Sequence, residues 1–134
     1  MEVLLISLFI TTLLPIVAKA PLAYAMNKDG GYDNRHPRQQ QDRLTGFGLR
    51  AKAAHLNSFE ALAMYAPGVL AVVALDAATD LIQYYAIGFV FCRLAYLAMY
   101  WFNLDKLRSL FWLAGFALSL MILWHAVAVA TAMN

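Results

Sequence analysis

The sequence predicts an all-α, integral-membrane four-helix bundle of up-down topology, and three observations carry that prediction. Hydrophobic residues make up 63% of the 134 positions and charged residues only 13%, against roughly 45–50% and about 25% in a soluble domain. A chain this short cannot bury such a surplus inside a water-facing globule. The apolar residues also fall into four blocks, each long enough to cross ~30 Å of hydrocarbon at 1.5 Å per residue. Finally, the bases gather at alternate connections between those blocks. This pattern excludes a soluble enzyme, a disordered chain and a disulfide-stapled secreted domain. A net charge of +2 is too small to suggest nucleic-acid binding, and the single cysteine, Cys92, has no internal partner.

The first span is expected over residues 3–26, which are uncharged apart from Lys19. Lys19 sits close enough to the basic end to snorkel. Pro15 is expected to kink this helix, as Pro67 is the second. A cleavable leader is the competing reading of the N-terminus, with Ala23-Tyr24-Ala25 resembling a cleavage site. Glu2 argues against it, because a leader carries positive charge there. Residues 27–48 form a polar loop with Gly30, Gly31, Pro37, Gln39, Gln40 and Gln41. The second span covers 49–75, where Glu60 is the one acid. The third covers 81–103 and holds Arg93, and the fourth covers 107–133, uncharged after Arg108. The connections at 76–80 and 103–106 are short, so neighbouring helices should pack antiparallel. Strict apolar/polar alternation is missing, which argues against a β-barrel.

Charge sets the orientation. Lys28, Arg35, Arg38, Arg43, Arg50 and Lys52 lie in or beside the first loop, and Lys106 and Arg108 at the third; the second connection has only Asp76 and Asp80. Basic loops stay cytoplasmic. The expected protein is therefore multi-pass, with both termini outside and the basic first loop inside. Trp124 and His125 read as interface anchors at the outer end, as do Trp101, Trp112 and Tyr24 at the inner. Cys92 reads as a packing residue.

The polar residues within the spans are the candidate site. An ionisable group at membrane depth costs about 2.5–3.5 kcal/mol on insertion scales, so it needs a partner or a role. Arg50, Asn57 and Glu60 share one face of the second span, and Arg93, Tyr96 and Tyr100 one face of the third. Glu60 and Arg93 lie at similar distances from the basic end. They should face each other within the bundle or across a subunit boundary. With His55, Asn57, Tyr96 and Tyr100 near them, and Arg50 and Arg108 at the mouth, they outline a wet, cationic cleft. Such a cleft suits an anionic, peptide-like ligand, and the surrounding apolar wall suits a lipophilic second substrate. A salt bridge that serves only helix registry is the plainer reading of the pair. Metal-ligand spacing, a phosphate-binding glycine loop and a Ser-His-Asp set are missing, so no metal is expected.

The segment Arg50-Ala51-Lys52-Ala53-Ala54-His55-Leu56-Asn57-Ser58-Phe59-Glu60 resembles the second-helix signature of the MAPEG family, the membrane-associated proteins in eicosanoid and glutathione metabolism. Arg93-Leu94-Ala95-Tyr96 followed by Tyr100 and Arg108 resembles the third-helix signature. The resemblance implies a homotrimer that binds glutathione as co-substrate between subunits. It also implies conjugation of glutathione to lipophilic small molecules, or reduction of hydroperoxides. By that resemblance Arg50, His55, Asn57 and Glu60 would hold glutathione, and Arg93, Tyr96 and Tyr100 would line the site from the neighbouring subunit. Arg108 would be the catalytic, thiolate-stabilising residue. Ala53 and Ala61 depart from the family, which usually has arginine at the first position and in some members tyrosine at the second.

Thiolate activation is the chemistry this implies. A free thiol has a pKa of about 8.5, and lowering it to about 6.5 requires about 2.7 kcal/mol of thiolate stabilisation. Arg108 lies in the first turn of the fourth span, where the helix dipole adds to its charge. Asn103 or Asp105 is expected to cap that helix. The alternative is a non-catalytic membrane binding or scaffolding protein of the same fold. Partners on either reading include membrane lipids and exclude nucleic acid.

Overall fold

The computed structural model describes residues 1–133. It is all-helical: α1 (Glu2–Lys28), α2 (Pro37–Arg43), α3 (Gly46–Ala74), α4 (Asp80–Trp101) and α5 (Asp105–Ala132). Four of these, all but α2, are long and apolar enough to cross a membrane. The helix limits differ from the expected ones by a few residues, and local backbone chemistry accounts for two of them. Asn103 adopts φ +60 and so stops α4 at Trp101 rather than at 103, while Asp76 at φ +50 turns the chain after α3. Asparagine and aspartate tolerate that left-handed region better than other side chains. Thr79 caps α4 by accepting the Ile82 N–H at 3.3 Å.

One expectation fails at α5. Its N-cap position is Leu104, which offers no side-chain bond, so neither Asn103 nor Asp105 caps the helix. Asp105 sits in the first turn instead, where its charge complements the dipole.

The contacts fix how the helices lie. Near the start of α1, Ser7 meets Tyr65 toward the end of α3; midway, His55 meets Pro15; Leu22 and Met26 near the end of α1 pack with Ala51 at the start of α3. Along α3 and α4, Tyr65 stacks on Phe89, with ring centroids 3.9 Å apart, and Asn57 reaches Arg93. Between α4 and α5, Cys92 lies against Gly115, the packing role expected for it.

The core divides into three layers along the bundle. Leu4, Tyr65, Val69, Ile82, Phe89 and Ile122 belong to the largest layer, distant from the basic loop. Leu14, Ala54, Tyr96 and Leu97 form the middle one, and Leu22, Met26, Leu44 and Ala51 the layer beneath the loop. Small residues permit the closest helix approach: a Cβ on Gly68 would lie 3.1 Å from the Leu123 backbone nitrogen of α5. The buried hydroxyls of Ser7, Thr11, Ser58 and Ser119 are bonded. Ser7 Oγ donates to the Leu4 carbonyl at 2.7 Å and shares a 2.6 Å bond with the Tyr65 hydroxyl.

The first loop is ordered, and Gln40 is the reason. Gln40 is only 2% exposed. Its amide nitrogen donates to the carbonyls of Met26 and Gly31, and its oxygen accepts the Asp33 N–H. The Asp33 carboxylate in turn accepts the N–H groups of Arg35 and His36, an Asx-type turn that leads into α2. Those two donors hold its carboxyl below the ordinary aspartate range. Pro37 opens α2 at a position where no N–H is needed, and Lys52 pairs with Asp42 to tie α2 to α3.

Candidate functional site

The predicted site begins with a buried cation. Arg93 is 2% exposed, on the inward face of α4. Glu60 and Arg93 do approach one another, but Asn57 stands between them. The Arg93 guanidinium donates to Asn57 Oδ1 at 2.7 Å, and Asn57 Nδ2 donates to Glu60 Oε2 at 2.6 Å. The expected face-to-face pair is thus a relay through an amide, and the single ion pair among the described residues is Lys52–Asp42. The geometry explains this. Asn57 and Glu60 are three apart on one helix face, and the shorter side chain, lying nearer Arg93, reaches it first.

Toward the basic end the relay continues through aromatic rings. Arg93 lies over the Tyr96 ring at 4.2 Å to the centroid, Tyr96 meets Tyr100 edge-on at 5.4 Å, and Arg108 covers Tyr100 at 4.5 Å. Each guanidinium over a ring is a cation–π contact that leaves its N–H edge able to donate. Glu60, Asn57, Arg93, Tyr96, Tyr100 and Arg108 therefore form one connected strip. From Arg93 to Tyr100 it covers ~10 Å along α4, at 1.5 Å per residue.

Three buried donors lack an acceptor: Arg93 Nε within this strip, Trp101 Nε1 beside the layer that holds Tyr96, and Arg50 Nε on α3. Buried N–H groups are nearly always paired, so an unpaired one suits an acceptor on a ligand. Arg50 is half-buried in the second turn of α3, on the same face as Asn57. Trp101 was expected only as an interface anchor. Its indole packs against the layer containing Tyr96, and the sequence offered no sign of that beyond its spacing of five from Tyr96.

His55 is placed elsewhere. Its Nδ1 lies 2.8 Å from the Pro15 carbonyl of α1. A carbonyl only accepts, so Nδ1 carries the proton and Nε2 is the free ring nitrogen. The ring meets Phe59 edge-on and faces a recess also lined by Lys19 and Arg38. His55 and Asn57 are two apart on a helix, so they point to nearly opposite faces. His125 likewise does more than anchor: its Nε2 donates to the Ala77 carbonyl at 2.8 Å, tying α5 to the α3–α4 turn. Trp124 beside it is 70% exposed, in keeping with an interface ring.

Comparison with known proteins gives one match. The model of the MAPEG family matches residues 3–128, nearly the whole chain. No curated protein and no solved structure matches.

Proposed function

The chain belongs to the MAPEG family, and from that premise we propose that it is a membrane-bound glutathione transferase or peroxidase-like protein. The observation that carries this reading is the connected strip from Glu60 to Arg108, with buried donors that lack acceptors at Arg93 and Trp101. Glutathione offers two carboxylates for the guanidinium groups and an ammonium for Glu60. Arg50 and Arg93 would take the carboxylates, Asn57 holds Arg93 and Glu60 at a fixed separation, and Tyr96 and Tyr100 supply hydroxyl donors along the peptide. Arg108 would face the thiol. Its guanidinium charge would stabilise the thiolate, with the α5 dipole adding to the effect. The thiol proton leaves to water. The thiolate then bonds to an electrophilic carbon, displacing its leaving group, or reduces a hydroperoxide to the alcohol with a second thiol completing the disulfide.

The proposal includes a homotrimer in an up-down membrane topology, with the basic loop cytoplasmic and both termini outside. The helix contacts described above support alternating directions. Glu60 supports the trimer, because it is exposed on a single chain halfway along a span, where a bare carboxylate against lipid is costly. A neighbouring subunit that covers this face and shares the peptide removes that cost. His55 is left out of this site, since its ring faces α1.

The test is glutathione binding to the purified protein in detergent, with ultraviolet detection of bound thiolate. Saturable binding with a thiolate signal that disappears in Arg108→Ala is the expected result, together with turnover of a chlorodinitrobenzene-type electrophile. An Arg108→Ala protein with an intact thiolate signal removes Arg108 from the mechanism. Ala53 and the position of Arg108, one residue further from Tyr100 than in the leukotriene synthases of the family, favour a second reading, a non-catalytic binding protein of the same fold; absence of glutathione binding at millimolar concentration would establish it over the first.

A further inference from the structure

A second cationic site lies on the side of α3 that His55 faces, around the helix from Asn57. Residues of α1, α2, α3 and the first loop line a recess of about 420 Å³, with Lys19, Tyr32, Arg38 and His55 among them. No acid lines it, and neither Lys19 nor Arg38 takes part in an ion pair among the described residues. The recess is built rather than incidental. Gln40 fastens the loop to the end of α1, and Arg38 of α2 lines the same recess as Lys19, which sits nine residues before the helix end. Lys19 thereby lies ~14 Å below that end, at 1.5 Å per residue. Such a lysine needs either a path to water or an anion. His55 Nε2 adds a third polar group.

Below the cations the wall changes character. Leu56 and Phe59 line the same recess and are about half exposed. Phe59 is four residues further along α3 than His55, so it lies ~6 Å deeper. Positive charge above and exposed apolar surface below is the arrangement that fits an anionic amphiphile, its headgroup on the bases and its chain along the hydrocarbon face. We infer that this recess is a binding site for the phosphate headgroup of an anionic phospholipid from the surrounding bilayer. The inference uses no residue of the strip from Glu60 to Arg108, so it stands apart from the glutathione reading.

Native mass spectrometry and thermal unfolding of the detergent-solubilised full chain test it, with phosphatidylglycerol and phosphatidylcholine as probes. Phosphatidylglycerol should be retained and should raise Tm, whereas phosphatidylcholine should do neither. Lys19→Gln and Arg38→Gln together should weaken phosphatidylglycerol binding by about tenfold or more, and Lys106→Gln, a base at the same end but outside the recess, should leave it unchanged. Arg38→Gln alone, at an exposed position on α2, should show a smaller loss if the double variant does not fold. Equal retention of the two lipids, or an equal effect of Lys106→Gln, would overturn the site as one of general surface charge. Competition by millimolar inorganic phosphate would reassign it to a free anion. Competition by glutathione would make it part of the peptide site; unchanged glutathione binding in the double variant separates the two proposals.

Discussion

Asn57 is a small residue with two obligations. It accepts from a buried guanidinium and donates to a carboxylate. Asn57→Leu strips both, and leaving a buried charge without its partner costs about 3 kcal/mol; a lower unfolding temperature and weakened glutathione binding are expected together. Glu60→Gln separates the two effects. It keeps an acceptor for Asn57, so stability should change little while the affinity for an ammonium-bearing peptide falls about tenfold, as for the loss of a charge-assisted bond. In the loop, Gln40→Leu removes three hydrogen bonds at a buried position, and limited trypsin digestion at Arg35 and Arg38 should accelerate. Asp33 adds a pH dependence. Its folded pKa is depressed by donated N–H groups, so the turn is stabilised above the ordinary aspartate range. That contribution is lost as pH falls through the depressed value, and amide hydrogen exchange in the loop, compared between the two proteins at each pH, should be faster in Asp33→Ala at neutral pH but converge with wild type in strong acid. Sequence spacing placed Arg93 near Glu60, yet it could not choose between direct pairing and a relay, because side-chain reach decides that.

At the level of helices, the interior of each span was legible from length and hydropathy, since lipid imposes both. The ends were not. Asn103 and Asp76 stop helices through their positive φ, which no hydropathy profile records. The small helix α2 announced itself only weakly, through Pro37 ahead of a polar run, because its stability comes from Gln40 and the Lys52–Asp42 pair rather than from an apolar stripe. Close packing of α3 on α5 rests on Gly68. Gly68→Val forces the two backbones apart, and a loss of about 1–3 kcal/mol is expected from overpacking, measured by thermal unfolding in detergent. Thr79→Ala removes the one side-chain cap seen at the start of a spanning helix and should cost about 1 kcal/mol.

For the whole molecule, the charge asymmetry and the exposed Glu60 face bear on assembly. Chemical cross-linking in mild detergent should yield a trimer, and single cysteines introduced in the first loop of a Cys92→Ser background should be labelled only from the cytoplasmic side. A stable monomer that binds glutathione with full affinity would dispense with the shared site. The sequence by itself determined the helical class, the number of spans and the helix faces that carry the polar residues, because the bilayer acts on composition and period alone. The tertiary structure decided which of those faces meet. It placed Asn57 between two charges, turned His55 toward α1, and set Arg38 and Lys19 in the wall of one recess. Each of these depends on rotations and crossings among helices, set by packing between residues far apart in the chain.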